Sequence, residues 1–144
     1  MEKIRIQRNI KRIEVNDNGD LLELDFDDLN LPYRFYAMFK QFETDRAKFT
    51  TELAEKLKDR PDDEAADELI AAERDMNIYM RDAIDKVFGE GTCRKVYGDI
   101  LPSWEMHMQF FDALMPYFQA EAERRQNKMN KYSARRMGNA KYNS

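Results

Sequence analysis

His107, Cys93 and the carboxylates Glu23, Asp25, Asp27 and Asp28 are the residues whose types could do chemistry. His107 is the one histidine, and no second histidine or cysteine stands at ligand spacing from it. A metal site needs such a partner, so beside an apolar helix face His107 reads as a packed structural residue. Cys93 follows the break Gly89-Glu90-Gly91 at the start of a short helical turn. A helix N-terminus can lower a thiol's pKa, but no histidine is near in sequence to act as its base, and packing is the simpler role. A single cysteine also excludes an internal disulfide and a multi-cysteine zinc site. The four carboxylates could gather a cation; on an alternating strand they are first a solvated face, or a docking site for basic segments. Asn16-Asp17-Asn18-Gly19-Asp20 has a slight likeness to a calcium loop but lacks the EF-hand spacing and its distal Glu. The Gly89-Glu90-Gly91 break lacks the preceding strand and the Lys-Ser/Thr of a phosphate cradle. No base, nucleophile and orienting group line up. We therefore expect no catalytic, cofactor or metal residues, and a protein that is not an enzyme.

What remains is binding. The net charge of −4 is unevenly spread. Residues 1–13 carry +4, residues 124–144 carry +7, and the stretch between carries −15. Basic ends on an acidic body suit nucleic acid or the acidic surfaces of other polypeptides. The basic end has Tyr132 and Tyr142 among its cations, as some single-strand binders do. Nine methionines and nine phenylalanines are first of all core material. Methionine-rich grooves also hold helical clients, because the side chain adapts its shape.

The elements that position these residues follow from spacing. Ile4/Ile6 and Ile13/Val15 alternate as strand residues do, and so do Leu22, Leu24 and Phe26 against Glu23, Asp25 and Asp27. Asn18-Gly19 between them signals a hairpin turn. Asn30 can cap a helix with Pro32 in its first turn. Phe35, Phe39, Phe42, Phe49, Leu53 and Leu57 then recur at helical steps, with Arg46 where another apolar residue is due. A helix over 32–58 would be roughly 40 Å long, so one end is expected to project. Asp62, Asp63 and Glu64 favour a new helix start, and Leu69, Met76, Met80, Ala83, Ile84 and Val87 form its inward stripe up to Gly89. Two long helices joined by a short turn make an antiparallel pair. Thr92 is placed to cap a connecting helix that Gly98 ends, and Ser103 to cap the last one. That last helix carries Met106, Phe110, Phe111, Leu114 and Phe118 on one face, and Pro116 predicts a kink near 112–116.

The fold class is thus mainly α with a small N-terminal β-hairpin: antiparallel long helices, a short connecting helix and a kinked C-terminal helix. The expected divisions are the hairpin over 1–30, a helical domain over 31–123, and a basic tail over 124–144 that frays into a flexible segment. No run of about 18 apolar residues exists to span a membrane, and the N-terminus lacks the apolar region of a signal peptide.

Three passages together resemble the small tail-assembly chaperones of long-tailed phages and prophages of Gram-positive bacteria: VNDNGDLLELDFDDLNLPYRFYAMFKQFE, DKVFGEGTCRKVYGDILPSWEMHMQFFDALMPYF and KYSARRMGNA. The resemblance covers most of the chain in order and spacing. It implies a non-enzymatic, self-associating helical protein in the cytoplasm of the bacterial host. Such proteins coat the helical tape-measure protein and hand it to tail-tube subunits, and no cofactor is implied. The partner-binding residues expected on this reading are Phe110, Phe111, Leu114 and Phe118, lining a client groove or a subunit contact, and Arg124, Arg125, Arg135 and Arg136, acting by charge. Two other readings compete: a structural tail or neck component that stays in the virion, and a small nucleic-acid-binding regulator acting through its basic ends. Against the second, the helices are rich in acids and none has the character of a recognition helix.

Overall fold

The computed structural model describes the backbone of residues 1–142 and the side chains of residues 1–137. Two strands, β1 (Ile10–Glu14) and β2 (Leu21–Asp25), precede four helices: α1 (Asn30–Leu57), α2 (Asp62–Phe88), α3 (Thr92–Tyr97) and α4 (Trp104–Tyr142). The chain is mainly α with a small β-hairpin, as its spacing requires. It divides into two compact units, Met1–Trp104 and Glu105–Ser144. The hairpin lies within the first unit.

The strands pair antiparallel, with Ile10 opposite Asp25 and Glu14 opposite Leu21. Asn16 builds the turn. Its Oδ1 accepts from the N–H groups of Asn18 and Asp20, and Gly19 takes φ +83°, a conformation glycine adopts without steric cost. Leu22, Leu24 and Phe26 are buried on one face, while Glu23 pairs with Arg12 and Asp25 with Arg8 on the other. The acidic strand face is thus met by the chain's own basic opening. Ile4 and Ile6, expected in the strand, lie outside it and are exposed, because β2 ends before it could pair with them.

α1 and α2 run antiparallel. Phe35 meets Phe88 and Phe42 meets Tyr79, each pair with ring centroids 6.0 Å apart, and farther along Arg46 reaches Glu73 and Lys56 approaches Glu68. The buried residues gather at one end: Leu31, Phe35, Met38 and Phe42 on α1, Asn77, Met80 and Ile84 on α2. Between residues 43 and 76 none is buried, Phe49, Leu53, Leu57 and Met76 are half-covered, and Leu69 is exposed rather than inward. Two helices alone can cover only the stripe between them.

Two capping expectations are corrected. Asn30 is the first residue of α1, and its N–H donates to the Asp28 carboxylate at 2.9 Å. Thr92 is the first residue of α3, following Gly91 in the left-handed region, and its hydroxyl donates to the Gly89 carbonyl. Gly98 ends α3 as expected, at φ +81° with its N–H on the Arg94 carbonyl.

α4 continues helical through Pro116 to Tyr142. The basic stretch expected to fray and become flexible is helical over its described length. Glutamine, lysine, arginine, alanine and methionine are good helix formers, and no glycine interrupts them before Gly138.

Candidate partner-binding surface

The groups that could do chemistry are put to structural use. Cys93 is buried, and its thiol lies 3.6 Å from the Arg81 carbonyl. Burial first, then the Asp85 carboxylate, push that thiol well above its ordinary pKa, so it stays protonated and is a poor nucleophile. Asp85 itself has a role that the spacing of α2 did not reveal. Its Oδ1 accepts the Cys93 N–H at 2.9 Å and its Oδ2 the Gly91 N–H at 3.3 Å. A carboxylate from the preceding helix thereby satisfies donors at the start of α3 that no local side chain caps. The acid eight residues before Cys93 was the available signal. His107 is fully buried, stacks on Phe111 with centroids 6.4 Å apart, and is pushed down to about 4 by burial. It is neutral at physiological pH. Among the described residues no group of three or more His, Cys, Asp or Glu side chains is placed to hold a metal ion, and no helix is long and apolar enough to cross a membrane.

Arg46 occupies the gap in the apolar stripe of α1. Its Nη1 donates to Glu73 Oε2 at 3.0 Å, and its guanidinium lies over the rings of Phe49 and Trp104 at 5.3 and 5.2 Å. The cation therefore joins two helices and two aromatic faces, a geometry planar arginine suits better than lysine.

The eight residues expected to bind partners separate into three kinds. Phe110, Phe111, Leu114 and Phe118 are buried. Arg124 and Arg125 both turn back to Glu121: Arg124 Nε donates to its oxygens at 3.1 and 3.0 Å, and Arg125 Nε at 3.3 Å. Their charges are largely engaged by the helix itself. Arg135 and Arg136 are exposed, with Arg136 over the Tyr132 ring at 5.7 Å. The side chains of Lys141 and Tyr142 fall outside the described residues.

Every residue from 126 to 137 is exposed. On a helical projection Arg124, Lys128, Lys131 and Arg135 share one face at steps of four, three and four. The opposite side holds Gln126, Met129, Asn130, Ser133 and Met137. Met129, Tyr132 and Met137 stand exposed as apolar points along this segment. An uncovered helical segment of about this length is marginal by itself in water, so this helix, with a cationic stripe, Tyr132 beside it and the two methionines on the far side, has much to gain from a partner.

The profile of a family of unknown function, DUF6673, matches residues 18–143, and the chain belongs to that family. No curated protein and no solved structure matches it.

Proposed function

We propose that this member of the family is a non-enzymatic phage tail-assembly chaperone, acting in the host cytoplasm, that binds the helical tape-measure protein and helps recruit tail-tube subunits. The observation that carries this reading is the exposed basic helix over 126–137, with its aligned cations and its methionines and tyrosine. Such a surface suits a second polypeptide helix: charge steers the encounter, and adaptable methionine and amphipathic tyrosine supply contact area. The resemblance of the three sequence passages names the client, and the structural use of Cys93 and His107 is compatible with a protein that turns over no substrate.

The test is co-expression with a phage tape-measure protein, the long helical client that the reading names. A chaperone keeps that client soluble, co-purifies with it, and is absent from finished virions. Recovery of the client as aggregate in both the presence and the absence of this chain would refute the reading. Presence of the chain in purified particles would favour a structural tail component instead.

A further inference from the structure

The N-terminal arm and the outer edge of β2 fit each other in three independent ways. The arm lies outside the sheet: residues 1–7 are all exposed and form no strand, with Ile4 94% and Ile6 85% exposed. Yet Lys3-Ile4-Arg5-Ile6-Gln7 alternates as a strand with one apolar and one basic side. The edge is open: the sheet has two strands, and among the described residues no third strand lies beside β2. Phe26 donates to the Asn9 carbonyl and Val15 to the Asp20 carbonyl. The antiparallel alternation then points the main-chain groups of Leu22 and Leu24 toward β1 and those of Leu21 and Glu23 away from it. The two faces also match: Leu22 and Leu24 are buried on one side of β2, and Glu23 and Asp25 carry charge on the other.

We propose that residues 3–7 of one copy add as a third strand to the Leu21–Asp25 edge of a second copy, by β-strand addition. Ile4 and Ile6 then continue the layer of Leu22 and Leu24, while Lys3 and Arg5 come beside Glu23. The chain's own arm is held on the far side of the hairpin. Its Arg8 pairs with Asp25, and the Asn9 N–H donates to the Asp27 carboxylate at 2.6 Å, next to β1. Passing from there around to the outer edge of β2 spans two strand spacings, about 10 Å. That crossing takes up about three residues and removes Ile6 from the pairing, so the occupant is another copy. The inference stands apart from the proposed function and holds for any role in which copies associate.

The experiment is light scattering and sedimentation of the full chain over a concentration series, with helical circular dichroism confirming that each variant is folded. The wild-type chain associates. I4D/I6D raises the dissociation constant about tenfold or more, and R5E and E23K each raise it roughly threefold to tenfold. R5E/E23K restores association toward the wild-type value. A wild-type chain still monomeric at about 100 µM, folded variants that associate like the wild type, or a double reversal without rescue would each overturn the proposal.

Discussion

Replacing Asp85 tests whether one carboxylate from α2 organises the start of α3. In Asp85→Ala the Cys93 N–H, which is buried and lies 2.9 Å from Oδ1, loses its acceptor. An unsatisfied buried donor costs about 1–3 kcal/mol. The Gly91 N–H, at 3.3 Å in a half-exposed site, can turn to water and costs about 0.5 kcal/mol. Loss of a negative charge at a helix N-terminus adds about 0.3–1 kcal/mol. Alanine in the helix interior returns roughly half a kcal/mol of propensity. The net expectation is a loss of about 2–3 kcal/mol, read as a lowered urea midpoint with unchanged slope. Asp85→Asn keeps one oxygen for Cys93 and loses only the charge and the longer bond, so about 1 kcal/mol is expected. The alanine variant also removes the anion beside Cys93, and the thiol then reacts faster with a disulfide reagent. A change below about 0.5 kcal/mol in Asp85→Ala, the range of an ordinary surface substitution, would refute the capping role.

His107 makes stability fall in acid. Its folded pKa of about 4 lies below the ordinary 6.5, so the unfolded chain binds the proton more readily. The contribution is fully present above about pH 6.5 and is lost as pH falls toward 4, in total about 3 kcal/mol at 1.36 kcal/mol per unit. Denaturant midpoints of His107→Phe should show less of that slope than wild type, and equal slopes would contradict the assignment. Arg46→Met retains the stem but removes the charge above Phe49 and Trp104; we expect a loss of about 1–2 kcal/mol, with a coupling of about 0.5–1 kcal/mol to Glu73→Gln in a double-mutant cycle, since both side chains are partly exposed. If the proposed chaperone role holds, neutralising Arg135 and Arg136 to Gln should weaken binding of the tape-measure client more than neutralising Arg124 and Arg125, and most at low salt. Equal effects of the two pairs would show that the Glu121 contacts do not engage the first pair.

Much of the architecture was legible because it follows from local chemistry. Period-two alternation around Asn18-Gly19 specifies the hairpin, helical steps of phenylalanine and leucine specify α1 and α2, and Gly98 ends α3. These are interactions between near neighbours in the chain, and spacing reports them. Local preference reaches even the exposed end of α4, where helix-forming residues without an interrupting glycine matter more than the sparse apolar pattern that suggested a flexible tail. What spacing could not reveal are pairings between residues far apart. That Asp85 rather than Thr92 serves the start of α3, and that Arg46 finds Glu73 and two rings, depends on how helices settle side by side. The same holds for the candidate binding residues. Amphipathicity shows that Phe110, Phe111, Leu114 and Phe118 must leave water, but not whether the same chain or a partner covers them. Charge alone ranked Arg124 with Arg135; Glu121, three residues before Arg124 on the same helix, separates them, and that is local spacing the charge count overlooked. A sequence states which surfaces need covering, and tertiary packing decides which of them remain open, because burial depends on distant elements that no local pattern encodes.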